Sequence, residues 1–353
     1  MKKIIFVFFG FALNFGWLAC KTTEHHVDIT ISPEAGANYK SGDPVTVKLS
    51  YPGDLKPDSI VFLVDSAKVA TKKDSTALIL KTDSLSLGPR VVTARIFSQG
   101  KSQEITTNIV LLAAKSPEQY TYVVERKFPH DTSSYTEGLE YHDGYLYEST
   151  GNYGSSKLMK VDLQTGKALL SVKLDKKYFG EGFTMLGDKI MQLTYKEKTG
   201  FVYDKNTFKT LKTFSYNTGV EGWGVCNDGT KIYTDDSSNR IWFLDTKDYH
   251  NIGFIDVYDD KRQIDMVNEL EYVNKKLYAN VYTQDTILVI NPKTGSVEQR
   301  VDMKDLWPLK DRPSGFDNTQ NVLNGIAWDE KGKRLFVTGK KWPYVYQVRF
   351  VKK

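Results

Sequence analysis

A repeat in the last two thirds of the chain constrains its fold more than any other feature of the sequence. Five short apolar segments, each preceded by a polar or aromatic residue, begin 42 to 55 residues apart. The copies are residues 137–141, 181–185, 223–226, 269–272 and 324–328. The longest interval contains an insertion at residues 307–320 that is rich in Pro, Gly and Asp. A period in the forties with several strands in each unit is typical of β-propeller blades.

A second repeated element is a tight turn that follows a strand and opens with Asp or Asn. Such residues open turns because their side chains bond the backbone two positions further on. There are four copies of this turn for five copies of the first strand, so the last repeat lacks a strand of its own. We predict that residues 122–128 supply that strand and close a five-bladed ring, which removes exposed sheet edges. The turns occupy residues 161–167, 203–209, 244–248 and 290–296.

The preceding part of the chain has a different pattern. Residues 27–113 alternate between polar and apolar side chains, with a turn every dozen residues or so. This pattern predicts a small β-sandwich of immunoglobulin-like type. It contains no cluster of catalytic residue types, which favours an accessory module. The predicted fold class is therefore all-β, with this sandwich, a linker that contains Pro117, and a five-bladed β-propeller at residues 120–353.

The N-terminus has the pattern of a bacterial export signal. Two lysines precede an apolar run at residues 4–18, which is short for a membrane span and typical of a signal peptide. The run ends at Ala19-Cys20 and is similar to a lipobox, except that Trp17 stands where Leu is usual. We therefore predict a signal peptide at residues 1–20, lipidation of Cys20, a polar tether at residues 21–26, and a periplasmic or outer-membrane lipoprotein. An ordinary signal peptide cleaved nearby is the alternative.

Charge and cysteine content exclude several classes of protein. The chain has 48 Lys and Arg against 43 Asp and Glu, with no basic block, which argues against nucleic-acid binding. Cys226 is the one cysteine besides Cys20, so lipidation of Cys20 would rule out a disulfide. The five histidines form no spaced ligand set, and we predict no catalytic metal.

The polar residues that begin the five repeated strands are candidates for a functional site. The first strand of each propeller blade lines the central channel, so these side chains are expected to meet near its axis. Convergence of carboxylates raises the pKa of at least one of them, as a proton shuttle near neutral pH requires. A hydrated or cation-filled channel without chemistry is the other interpretation, and the pattern leaves both open. The five residues are Glu137, Glu181, Trp223, Glu269 and Asn324.

Seven motifs, in order, resemble those of the plant and bacterial glutaminyl-peptide cyclotransferases. They lie between residues 122 and 350 and do not include the predicted sandwich. The resemblance implies a five-bladed propeller that converts N-terminal Gln into pyroglutamate and releases ammonia, without a catalytic metal or other cofactor. It also implies a peptide or protein substrate with N-terminal Gln. The motifs are residues 135–139, 146–151, 178–182, 222–224, 268–272, 323–328 and 337–343.

The resemblance also assigns roles to individual residues. It implies that Glu181 is the acid–base group and that Asn268 and Lys340 complete the catalytic set. Trp223 and Phe179 match aromatic residues of the substrate pocket.

Four further pocket positions depart from the family pattern. Tyr135 stands where the family often has Phe, and Glu137 where it often has Gln. Tyr195 and Tyr282 replace two tryptophans. These changes keep aromatic walls, and the charge of Glu137 would attract the substrate ammonium or raise the pKa of Glu181.

Two rival functions stay open at this point. One is a non-catalytic propeller that binds a peptide or a sugar in its central channel. The other is a metal-dependent propeller hydrolase or lactonase, with carboxylate and Asn ligands around calcium. For the propeller itself we expect a monomer, attached to the membrane through the lipid on the N-terminal cysteine.

Overall fold

A computed structural model describes residues 28–353, which are built almost entirely of β-strands and turns. Within these residues the single helix, η1, is a short 3-10 helix at Leu309–Asp311. No helix in this part of the chain is both long and apolar enough to cross a bilayer. The predicted signal peptide, Cys20 and the tether lie outside the described residues.

The N-terminal strands form two sheets that enclose one hydrophobic core. One sheet has the order β1-β3-β6, and the other has the order β2-β8-β7-β4-β5. Side chains alternate between buried and exposed along β3, so Val45 and Val47 enter the core with Phe62 and Val92. The strands are β1 (Thr30–Ser32), β2 (Ala37–Lys40), β3 (Val45–Ser50), β4 (Ser59–Val64), β5 (Ala67–Lys72), β6 (Leu78–Leu80), β7 (Gly88–Ser98) and β8 (Lys101–Leu112).

The first three repeats form three separate four-stranded sheets. In each sheet, consecutive strands pair with one another in antiparallel fashion. The strands are β10 (Thr136–His142), β11 (Tyr145–Thr150), β12 (Lys157–Asp162), β13 (Ala168–Lys173), β14 (Gly180–Leu186), β15 (Lys189–Thr194), β16 (Thr199–Asp204), β17 (Thr210–Ser215), β18 (Val225–Asn227), β19 (Lys231–Asp235), β20 (Arg240–Asp245) and β21 (Asn251–Asp256).

The last two repeats share one eight-stranded sheet with the strand that precedes the first repeat. Its order is β22-β23-β24-β25-β9-β28-β27-β26, where β9 pairs antiparallel with β28 and, through residues 118–120, parallel with β25. Residues 122–128 thus lie beside the final strand of the last repeat, as predicted. The strands are β9 (Glu118–Pro129), β22 (Val267–Val273), β23 (Lys276–Val281), β24 (Thr286–Ile290), β25 (Val297–Asp302), β26 (Leu323–Asp329), β27 (Arg334–Gly339) and β28 (Tyr344–Lys352).

The first strands of the repeats surround a common centre. Strands β10, β14, β18, β22 and β26 contact one another in that order, and β26 contacts β10 again. The prediction of an all-β, propeller-like fold is confirmed by this arrangement. As a result, residues at the same position of these strands are brought together from distant parts of the sequence.

The pairing between first and second strands corrects one position of the predicted site. Leu270 pairs with Ala279, just as Ile326 pairs with Val337 in the last repeat. Counting back two residues from each leucine or isoleucine places Asn268, rather than Glu269, at the position equivalent to Asn324. The predicted assignment of Glu269 to that position is therefore wrong by one residue.

Glu269 occupies a position where the other repeats have glycine. A β-carbon on Gly182 would lie 2.5 Å from the carbonyl oxygen of Trp223, so neighbouring first strands pass too close for a side chain there. The carboxylate of Glu269 accepts hydrogen bonds from the backbone nitrogens of Leu139 (3.0 Å) and Ile326 (2.9 Å). It thereby ties together first strands of three repeats.

Candidate active site

A cavity of about 260 Å³ opens at one end of the central channel. It brings together all nine residues predicted for catalysis and substrate binding, although they are spread over more than 200 positions of the sequence. Asn152 and Gln320 also line it and were not predicted. The lining residues are Tyr135, Glu137, Asn152, Phe179, Glu181, Tyr195, Trp223, Asn268, Tyr282, Gln320 and Lys340.

Two sets of strand ends place these side chains. Glu137, Glu181 and Asn268 lie at the starts of the first strands β10, β14 and β22. Tyr195 and Lys340 follow directly after the second strands β15 and β27. Since first and second strands are antiparallel, the start of one and the end of the other lie at the same edge of the sheet. The pocket is therefore built on rigid elements.

A buried ion pair lies inside the pocket. The Nζ of Lys340 is 2.6 Å from Oε2 of Glu137, and both side chains are less than 5% exposed. Asn324 donates a further hydrogen bond from Nδ2 to the same carboxylate oxygen (3.3 Å), which holds Glu137 in place. The Lys340 ammonium also lies over the ring of Tyr135, 4.4 Å from its centre. Because this charge-assisted contact is short and shielded from water, it fixes the positions of both side chains.

Glu181 is the second carboxylate of the pocket, and it has no such partner. It is 4% exposed, and within the described part of the chain no group donates a hydrogen bond to its side chain. Burial raises its pKa well above the usual range for glutamate, and the negative charge of Glu137 raises it further, while Lys340 acts in the opposite direction. A carboxylate in this setting can exchange a proton with a bound molecule near neutral pH.

The two carboxylates compete for one cation. Burial also raises the pKa of Glu137, and the ion pair with Lys340 opposes that effect. Two buried carboxylates beside a single ammonium cannot both keep their charge at low cost. The ion pair with Lys340 therefore favours the ionised form of Glu137, whereas the raised pKa of Glu181 favours its protonated form.

Asn268 presents an amide to the cavity. Its side chain is 3% exposed, and Oδ1 is buried without a hydrogen-bond partner in residues 28–353. Buried polar atoms are nearly always paired in folded proteins, so this acceptor oxygen is available to a donor on a bound molecule.

Aromatic rings form the walls of the pocket. Phe179 contacts the rings of Tyr135, Tyr153 and Tyr195 at centroid distances of 6.3, 5.5 and 5.5 Å. The ring of Phe179 fits because residue 151 is glycine, where a β-carbon would come within 2.3 Å of that ring.

The opposite wall pairs Trp223 with Tyr282 at 5.6 Å. Gln320 connects the two walls, since its backbone oxygen and its Oε1 each lie 3.4 Å from a tyrosine hydroxyl, of Tyr135 and Tyr282 respectively. A small polar group enclosed between these rings would be shielded from bulk water.

Two of the five residues predicted to converge near the axis do not line the pocket. Asn324 lies behind Glu137 and donates to its carboxylate and to the backbone oxygen of Thr136. Glu269 lies further along the channel, bound to backbone nitrogens as described above. The converging carboxylates of the pocket are thus two rather than three.

One group of side chains outside the pocket has the spacing of a metal site. Asp245, Asp248 and His250 bring their ligand atoms within 4.8 Å of one another at the turn between β20 and β21. This is the one such group in the described residues, and the sequence did not single it out. Both Asp248 and His250 are exposed, and none of the three lines the cavity.

The chain is similar to known proteins in both sequence and structure. The family model for glutamine cyclotransferase matches residues 92–350, a match that begins within β7. A glutaminyl-peptide cyclotransferase of Arabidopsis thaliana is 40% identical over 234 residues, which are 64% of this chain and 70% of that protein. The crystal structure of a glutaminyl cyclase from Myxococcus xanthus superposes with a TM-score of 0.62 at 29% identity, covering 67% of this chain and 99% of that one.

Proposed function

The chain belongs to the glutamine cyclotransferase family, and on this premise we propose that it is a glutaminyl-peptide cyclotransferase. The enzyme would convert the N-terminal Gln of peptides or proteins into pyroglutamate and release ammonia. The observation that carries this proposal is the pocket itself, in which a buried carboxylate with a raised pKa faces an amide, an ammonium group and aromatic walls.

The reaction needs one proton to move between two nitrogens of the same residue. The α-amine nitrogen attacks the side-chain carbonyl carbon and forms the ring, and the bond from that carbon to the amide nitrogen breaks. Glu181 accepts the proton that the amine loses and delivers it to the departing nitrogen, which leaves as ammonia. The positively charged α-ammonium favours the ionised form of Glu181 when substrate binds. The ammonium first gives its extra proton to water, and the neutral amine then attacks with the Glu181 carboxylate as its base.

Charge that develops on the side-chain oxygen has two partners in the pocket. Asn268 donates from its amide to this oxygen in the tetrahedral intermediate. Lys340 offers a further N–H donor there, or holds the first peptide carbonyl of the substrate, while its positive charge stays paired with Glu137. Donors fixed before the reaction begins stabilise such charge at no cost of reorganisation.

The aromatic walls determine the substrate's pose. Phe179 and Trp223, from opposite sides, enclose the substrate side chain in a curled form that brings the amine to the amide carbon. Because both reacting groups belong to one residue, this positioning supplies much of the rate enhancement. Excluding water also prevents hydrolysis of the amide to glutamate.

We further propose that this chemistry requires no metal and that the catalytic ring has five four-stranded units. Proton transfer and charge stabilisation are each provided by side chains of the pocket. For the whole protein we propose export as a monomeric periplasmic or outer-membrane lipoprotein, anchored by lipid on Cys20. Incorporation of labelled fatty acid into the wild type and its loss in Cys20→Ala would test the anchor.

Ammonia release from a Gln-initiated peptide tests the activity. We expect turnover by the purified protein that is unchanged by a chelator, and unchanged in Glu298→Gln, which removes a carboxylate paired with Lys276 outside the pocket. Absence of turnover would favour a propeller that only binds a ligand. Turnover that the chelator abolishes would instead indicate a metal-dependent enzyme.

A further inference from the structure

The pocket has two carboxyl groups and one ammonium group, and that ammonium is already paired. Of the described residues that line it, Glu137, Glu181 and Lys340 carry ionisable carboxylate or ammonium groups. Lys340 makes its 2.6 Å contact with Glu137 and not with Glu181. The proton shuttle and the paired carboxylate are therefore distinct groups with distinct surroundings.

This pairing does not depend on a ligand. Glu137 receives hydrogen bonds from both Lys340 and Asn324, whose positions are set by different strands, β27 and β26. The backbone nitrogen of Lys340 is itself held by the backbone oxygen of Val322 at 2.9 Å. The salt bridge is thus part of the folded pocket before any peptide enters.

A glutamate side chain differs from a glutamine side chain at one atom and by one negative charge. If it entered this pocket, its carboxylate would meet two glutamates and an ammonium that is already neutralised. Burying a charge without a partner is costly, whereas the uncharged amide of glutamine has no such cost.

We propose that Glu137 is the residue that makes the pocket select an N-terminal glutamine over an N-terminal glutamate, by keeping the charge of Lys340 paired. The inference rests on the proposed function, because it takes the pocket as the site of the substrate's side chain. It goes beyond that function in naming how the charged analogue is rejected.

Glu137→Gln is the decisive variant. Glutamine has nearly the same shape, and its amide oxygen can still accept from Lys340 and Asn324, but the negative charge is lost. Lys340 then becomes available to a substrate carboxylate. For charges a few ångströms apart at an effective dielectric constant of about 20, the affinity for a Glu-initiated peptide relative to a Gln-initiated one should rise at least about tenfold.

The experiment compares two peptides that differ only in their first residue, Gln or Glu. On the full chain as wild type, Glu137→Gln and Glu298→Gln, the affinity for the Glu peptide is measured by calorimetry. That for the Gln peptide is taken from KM, measured with kcat, or from calorimetry where no turnover occurs. Loss of attraction for the α-amine affects both peptides equally and cancels in the ratio. We expect the ratio to change in Glu137→Gln, to stay constant in Glu298→Gln, and to return towards the wild-type value in the double variant Glu137→Gln/Lys340→Met.

Each outcome decides between explanations. A ratio that is unchanged within twofold in Glu137→Gln, with both affinities reduced alike, would assign Glu137 a structural role and overturn the inference. If Glu137→Gln does not fold, the wild type provides a second test, because discrimination should shrink between pH 7 and pH 4 as the peptide's glutamate becomes protonated. Discrimination that stays constant over that range would also overturn it.

The same data separate this inference from the proposed activity. Discrimination that depends on Glu137 without release of ammonia would contradict the activity and leave the selectivity intact. Turnover of the Gln peptide with equal affinity for both peptides would support the activity and contradict the selectivity. Binding of neither peptide to the wild type would contradict both.

Discussion

Replacement of Lys340 by Met isolates the energetic role of the buried ion pair. The change leaves a similar volume but removes the charge that compensates Glu137 at 2.6 Å. Breaking a buried pair by removing one partner costs about 3–5 kcal/mol of unfolding free energy. Lys276→Met is a matched control, because Lys276 and Glu298 are also 2.6 Å apart but are about one-third exposed. That variant should lose less than about 1 kcal/mol.

The loss in Lys340→Met should depend on pH, and its sign follows from the pKa of Glu137. Burial raises this pKa in the folded protein, and Lys340→Met removes the ammonium that opposes the rise. Between the unfolded value, about 4.3, and the higher folded value, the folded state binds one more proton than the unfolded state. The stability contributed by the protonated group is therefore present at low pH and is lost as pH rises, by up to about 1.4 kcal/mol per pH unit.

Urea unfolding followed by tryptophan fluorescence at pH 5 and pH 7 measures this effect. Five of the six tryptophans lie in residues 120–353, so the signal reports the propeller. We expect a clearly larger loss at pH 7 than at pH 5, and recovery of most of it in Glu137→Gln/Lys340→Met. An equal loss at both pH values, with no recovery in the double variant, would refute the argument that an uncompensated Glu137 is the cause.

Two further substitutions test a wall of the pocket and a buried carboxyl group outside it. In Gly151→Ala the new β-carbon must displace the ring of Phe179, so kcat/KM for a Gln-initiated peptide should fall about tenfold or more, and stability by about 1–3 kcal/mol; unaltered kinetics would contradict the assigned wall. Asp235 is fully buried, its pKa is raised well above the usual range by burial, and its Oδ1 accepts from the backbone nitrogen of Gly224. The wild type should lose unfolding free energy as pH rises through that raised pKa, whereas Asp235→Asn has no group there to titrate. The unfolding free energy of the variant relative to the wild type should therefore rise by up to about 1.4 kcal/mol per pH unit. Parallel stability–pH curves for the two proteins would show that Asp235 does not titrate in this way.

The strands were predictable because apolar segments and turns recur with a regular period. The closing strand followed from the count of turns, and β9 does pair with β28. The register of the fourth repeat was not predictable in the same way. Glu269 was matched to Glu137 and Glu181 by residue type, whereas the strand pairing aligns it with the glycines that follow those two residues.

The site was predictable only as far as the resemblance to the family reached. All nine residues assigned by the resemblance line one cavity, seven of them within the motifs, but Gln320 and Asn152 lie in an insertion and a loop that carry no strand periodicity. The contact between Glu137 and Lys340 joins residues 203 positions apart. No local pattern in the sequence reports such a contact, since it depends on how the repeats close around the channel.

The role of Glu181 as proton shuttle is the central claim, and one measurement tests it most directly. The rate of ammonia release from a Gln-initiated peptide is compared between the wild type and Glu181→Gln, with peptide affinity measured in parallel. We predict a fall in kcat of about 10²–10⁴-fold with the peptide still bound, because the amide cannot carry the proton between the two nitrogens. Wild-type kcat in Glu181→Gln would contradict the account.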